Sequence, residues 1–134
     1  MGTKGFEELQ VYQLAERLAD EVWTMALSWN SLARDTIGKQ LIRAVDNIGA
    51  NIAEGSGRGT YPDNRRFVRI ARGSLYETRH WLRRAFKRSL MTENQITSLK
   101  LKIVELGPRL NAYLRSIGPP PSDQGQVTND KHKS

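Results

Sequence analysis

The chain has 134 residues, about one domain, and carries 21 Lys plus Arg against 14 Asp plus Glu, a net charge of +7. Apolar residues make up 38%, enough for one modest core, and no run approaches the roughly 18 apolar residues of a spanning helix, so no membrane association is expected. The absence of cysteine excludes disulfides, thiolate nucleophiles, Fe–S clusters and most zinc sites; Met1-Gly2-Thr3-Lys4-Gly5-Phe6 lacks a secretory pattern, so the expected location is cytoplasmic.

Apolar residues recur at spacings of three and four and no period-two runs occur, so the expected class is all-α. A first helix is expected from Phe6 to Trp29, with an apolar set (Leu14, Leu18, Val22, Trp23, Leu27 among it) that covers well over half its circumference. That is wider than one packed face needs, and it implies a second buried contact, most simply another subunit. A second helix is expected from Thr36 to Glu54, capped by Asp35, with Ile37, Leu41, Val45, Ile48 and Ile52 on one face. The glycine-rich Gly55-Ser56-Gly57-Arg58-Gly59 ends it.

A third helix is expected from Pro62 or Asp63 to Ser89, its apolar stripe formed by Phe67, Ile70, Ala71, Ser74, Leu75, Thr78, Trp81, Leu82, Ala85 and Phe86. A fourth begins at Thr92, where Thr92-Glu93-Asn94-Gln95 has the form of a capping box, and runs to Ile117 with a kink expected near Val104 because Gly107-Pro108 follows. Gly118 and Pro119-Pro120-Pro121 form a stop signal. The expected organisation is one domain over residues 5–117 with a disordered tail over 118–134. Short connections favour an antiparallel up-down-up-down four-helix bundle.

The charge is concentrated in one segment. Residues 58–90 hold ten basic side chains, nine of them arginine, against Asp63 and Glu77. Stepping about 100° per residue from Arg65 places Arg69, Arg72, Arg79, Arg83 and Lys87 within about 40° of it, Arg66 and Arg84 near 100°, and Arg88 near 140°. The result is a cationic ridge roughly 35 Å long at 1.5 Å per residue, with Tyr76 and His80 along its centre and Arg58 in the preceding turn. Guanidinium forks suit phosphate oxygens, and interleaved aromatic rings suit stacking on single-stranded bases. Like charges without counter-charges repel, which an ordinary mixed-sign helix face avoids. Three readings stay open: a polyanion ligand, which is favoured; pairing with the acidic first helix (Glu7, Glu8, Glu16, Asp20, Glu21) of a neighbouring subunit; and a plain solvated face.

Catalysis finds little footing. His80 and His132 are the two histidines, and no Ser-His-Asp or Cys-His arrangement can be built. Glu77-Thr78-Arg79-His80 matches one Glu-x-x-His element of a di-iron site, which needs two such elements and two further glutamates. The glycine-rich turn lacks the preceding strand and following Lys-Ser/Thr of a nucleotide phosphate loop. No enzyme activity, metal or other cofactor is expected.

Phe6-x-x-Leu9-x-Val11-Tyr12, Gln40-Leu41-Ile42-Arg43-Ala44, Asn51-Ile52-Ala53-Glu54-Gly55-x-Gly57-Arg58 and Ile70-Ala71-Arg72-Gly73-Ser74-Leu75-x-Glu77 together resemble the 23S rRNA-intervening-sequence protein family over about Phe6 to Ile117. The resemblance implies an antiparallel four-helix bundle assembled as a ring-like homopentamer, with no catalytic residues to transfer. It makes Asn51, Glu54, Ser74 and Glu77 structural hydrogen-bonding groups. Trp81-Leu82-Arg83 and Met91-Thr92-x-x-Gln95 are similar to a distant branch, accessory proteins of diversity-generating retroelements, which bind nucleic acid and a reverse transcriptase. The basic face, read from this sequence and not from the resemblance, carries the expected function: non-enzymatic nucleic-acid binding by an oligomer, RNA rather than duplex DNA, through Arg58, Arg65, Arg66, Arg69, Arg72, Tyr76, Arg79, His80, Arg83, Arg84, Lys87 and Arg88. The alternative is a protein-interaction scaffold such as a reverse-transcriptase accessory subunit.

Overall fold

The computed structural model describes residues 5–119 and is entirely helical over them, apart from the short connections. The expected tail falls mostly outside these residues. Phe6–Glu8 forms a single 3-10 turn, and Leu9, extended at φ −72° and ψ 130°, separates it from α1, Gln10–Leu27. The first helix is thus shorter at both ends than its apolar pattern implied. Gln13 Nε2 donates to the Glu7 carbonyl at 2.9 Å, holding the 3-10 turn against α1. Trp29, 6% exposed, leaves the helix to donate its indole N–H to the Leu90 carbonyl at 2.9 Å.

The second helix starts earlier than expected, and its cap is not Asp35. Asn30 accepts from the Ala33 amide at 3.0 Å, and helical structure passes from Ser31–Ala33 through a π-helical turn, Arg34–Gly38, into α2, Lys39–Ser56. The π turn absorbs an extra residue inside a helix. Gly38 makes it fit, because a Cβ there would stand 3.3 Å from the Ala33 carbonyl oxygen and 3.7 Å from the Trp29 ring. Ile37, Leu41, Val45, Ile48 and Ile52 are all buried as the pattern implied.

Helix α3, Tyr61–Lys87, begins at Thr60, whose side chain accepts from the Asp63 amide at 3.3 Å, with Pro62 in the first turn. Its buried stripe differs from the expected one. Val68 is fully buried, whereas Ile70 and Phe86 are exposed; these two lie at the stripe's opposite margins, where no neighbouring helix covers them. The end is closed by Ser89 in the left-handed region (φ 59°), with Leu90 N donating to the Ala85 carbonyl and Ser89 N to the Phe86 carbonyl, each at 3.0 Å. Helix α4, Glu93–Ser116, opens with the expected capping box: Gln95 N donates to Thr92 Oγ1 at 3.2 Å and Thr92 N to Gln95 Oε1 at 3.0 Å. It continues unbroken through Gly107 and Pro108.

Helix α2 packs on α1 and α3, and α4 packs on α1 and α3. Gly55 permits the α2–α3 approach, since a Cβ would lie 2.7 Å from Asn64 Oδ1 and 3.0 Å from Phe67 Cβ. Between α1 and α4, Glu21 receives Lys102 Nζ at 2.7 Å and Ser98 Oγ at 2.9 Å, and Arg109 Nη1 donates to Gln10 Oε1 at 2.9 Å. Leu18, Val22, Leu41, Ile48, Leu99 and Leu106 are the large residues at the common centre.

Candidate nucleic-acid interface

The basic ridge lies along α3, but its cations fall into three groups. The first serves the fold. Arg65, half-buried, donates from Nη1 to the Ile117 carbonyl at 2.8 Å, and Arg72, half-buried, donates to Asn111 Oδ1 at 3.1 Å. Arg58 is held to Glu54 at 3.2 Å and lies 3.9 Å from Asp63. Arg66 lies 3.8 Å from Asp63, and its guanidinium carbon stands 4.4 Å from the Phe67 ring centre. These pairs keep the α2–α3 turn and the α4 end in place.

The second group edges a groove of about 1130 Å³ between α3 and α4. Leu75, Leu82, Leu99 and Ile103 line it, together with Arg79, Arg83 and Lys100. Tyr76 pairs with Arg79, whose guanidinium carbon sits 5.6 Å from the ring centre. His80 instead meets Trp81 edge-on at 4.8 Å, so Tyr76 and His80 are not partners of each other. The third group, Arg69, Lys87 and Arg88, is exposed and outside the groove. Arg84 is half-buried beside it. Among the described residues, Arg69, Arg79, Arg83, Arg84, Lys87 and Arg88 take part in no ion pair. Arg84 and Lys87 gain from the carbonyl end of α3, a favourable position for cations.

Lys100, Asn111 and the exposed Val104 were missed as groove residues. Ile96, Lys100, Val104, Gly107 and Asn111 recur at spacings of three and four beside the core stripe of α4, and that second stripe is the sequence signal for them. Of the residues the resemblance made structural, Asn51 donates to the Asn47 carbonyl at 2.8 Å and Glu54 holds Arg58. Ser74 is buried. Glu77 does not fit that role: it is exposed, with no hydrogen bond or ion pair from its side chain among the described residues. No cluster of three or more His, Asp or Glu that could hold a metal occurs among the described residues.

The α1–α2 side of the molecule has the opposite charge. A small cleft of about 220 Å³ is lined by Tyr12, Ala15, Glu16, Asp46, Gly49 and Ala50. Gly49 leaves room for the Tyr12 ring, which would be 3.3 Å from a Cβ. Burial, then Glu16, Glu7 and Asp20, push the Tyr12 phenol above its ordinary pKa. Burial and then Asp20 push the Asp46 carboxyl above its own. No described helix is long and apolar enough to cross a membrane.

No curated protein matches the sequence. Among solved structures, a crystal structure titled as a protein with unknown function from the S23 ribosomal protein family, from Bacteroides thetaiotaomicron, is similar at a TM-score of 0.70 and 22% identity, over 79% of this chain and 99% of that one. That likeness concerns the fold. The model of the 23S rRNA-intervening sequence protein family matches residues 7–112, nearly the whole helical region, and the chain belongs to that family.

Proposed function

We propose that this protein is a non-enzymatic, cytoplasmic, nucleic-acid-binding oligomer, a pentameric ring in the reading its family resemblance favours, that prefers RNA to duplex DNA. The observation that carries this reading is the set of cations along α3 that lie outside the groove and are in no ion pair among the described residues: Arg69, Arg84, Lys87 and Arg88. Cations held close together without counter-charges are stabilised by a polyanion, and several copies of the ridge on one ring multiply its hold on a polymer. An alternating up-down course of the four helices accords with the cross-helix bonds Arg65–Ile117, Arg72–Asn111 and Gln10–Arg109. The apolar lining of the groove favours a second reading, a scaffold that docks a protein such as a reverse transcriptase.

The test is binding of single-stranded RNA, single-stranded DNA and duplex DNA by fluorescence anisotropy across a salt series. Wild-type affinity should fall linearly on a log–log salt plot. Replacing Arg69, Lys87 and Arg88 with Gln should lower the slope by about 2 on single strands, at about 0.7 for each phosphate no longer neutralised. Equal binding by wild type and variant at every salt concentration overturns the reading.

A further inference from the structure

The α3–α4 groove and the outer face of α1 are complementary in two independent respects. The groove is lined by Leu75, Leu82, Leu99 and Ile103 and carries Phe86 and Val104, which are 52% and 68% exposed. Its cationic edge is Arg79, Arg83 and Lys100, none in an ion pair among the described residues. On α1, Tyr12, Glu16, Asp20, Trp23 and Leu27 follow one another at spacings of three and four and form one stripe. Trp23 and Leu27 are each 53% exposed, unusual for large apolar side chains on a helix whose inner face is already filled. Glu16 and Asp20 lie on the same stripe and are also in no ion pair among the described residues.

One surface is therefore apolar and basic, the other apolar and acidic, and neither set of charges is ion-paired among the described residues of its own chain. Arg79 and Arg83 are one turn apart, as are Glu16 and Asp20, about 6 Å along each helix. Beside the stripe, Gly49 and Ala50 of α2 keep the surface low, so a second helix pair can approach closely. Burial first, and then the neighbouring carboxylates, raise the Asp46 and Tyr12 pKa values, so this face gains from a partner's cations.

We propose that a second copy of this chain seats its α1 stripe in the α3–α4 groove, with Trp23 and Leu27 entering the apolar part and Glu16 and Asp20 facing Arg79 and Arg83. The inference rests on the oligomeric part of the function proposed above and names the contact that builds it. Aromatic anchors in a pocket, ringed by matched charges, are the usual energetic centre of such interfaces. The stripe and the groove are different surfaces, so each copy retains one of each, and the contact propagates head to tail until it closes. Arg69, Lys87 and Arg88 lie outside the groove and are left for nucleic acid.

The test uses the full chain by native mass spectrometry and sedimentation. Glu16→Arg with Asp20→Arg, and separately Arg79→Glu with Arg83→Glu, should each reduce the oligomer to single copies with helical circular dichroism intact. Combining all four substitutions in one chain should restore the oligomer, because the charges match again in reversed sense. Either double variant retaining the wild-type mass, or the fourfold variant remaining dissociated, overturns the contact. A single-copy wild type overturns it as well. Zero-length carbodiimide coupling of the wild type, which needs no folded variant, should join Glu16 or Asp20 of one copy to Lys100 of another. An oligomer that couples elsewhere and never there overturns the proposal, whether a protein or a nucleic acid fills the groove. The Arg69, Lys87, Arg88 variant should keep the oligomer's mass while losing RNA affinity, so the contact and the nucleic-acid reading fail separately.

Discussion

Arg65, in the first turns of α3, donates to the backbone carbonyl of Ile117 at the end of α4 across 2.8 Å. A charge that local periodicity assigns to a ligand is thereby committed to closing one end of the molecule. The carbonyl is one of those a helix C-terminus leaves without an internal partner. Arg65→Met, which keeps most of the apolar stem, should lower stability by about 1–2 kcal/mol in urea unfolding and leave the RNA salt slope almost unchanged. A variant as stable as wild type with a reduced slope would return Arg65 to the binding surface.

Trp29 connects the exit of α1 to Leu90, just before α4, and its ring also lies beside Gly38 in the π turn. Trp29→Phe isolates the hydrogen bond, and a loss of about 1–2 kcal/mol is expected because the Leu90 carbonyl is left unpaired. Trp29→Ala adds a cavity and should cost about 3–5 kcal/mol. Thermal melts of the two variants check both figures, and equal losses would mean that the hydrogen bond alone matters.

Ser89 holds a left-handed backbone, φ 59°, at the end of α3. An L-residue with a Cβ is disfavoured there by roughly 1 kcal/mol relative to glycine. Ser89→Gly should therefore stabilise the protein by up to about 1 kcal/mol, a rise in Tm of about 4 °C for a domain of this size. A lower Tm would show that the serine side chain contributes more than its backbone strain costs.

The Asp46 carboxyl is pushed above its ordinary pKa by burial and by Asp20. Its ionisation therefore opposes folding: between the ordinary value and the raised one the folded state holds more protons, and stability falls as pH rises through that window. Asp46→Asn removes the penalty. The variant should melt higher than wild type at pH 7, and the difference should vanish below the ordinary carboxylate range. These melts belong at concentrations too low for assembly, since a neighbour's cations would reverse the sign. No difference at pH 7 under those conditions would show that Asp46 is not under strain.

Features that depend on a few successive residues were legible in the sequence. The Thr92–Gln95 capping box lies within one turn, and its two hydrogen bonds form as read. The stripe of α2 and the cationic face of α3 follow from helical periodicity alone, which fixes direction from residue number. The four helices, and the family that their motifs resemble, were legible for the same reason. The tertiary structure decided whatever depends on distance between helices. Asn30 rather than Asp35 caps the second helix because the π turn at Gly38 packs on Trp29, and Trp29 is held by Leu90, which is 61 positions away. Arg65 and Arg72 turned from ridge to fold because α4 brings Ile117 and Asn111 within reach. The groove arises from the gap between α3 and α4, so Val104 and Lys100 acquire meaning only when both helices are in place. A helical wheel assigns each side chain a direction, but only packing sets what stands opposite it.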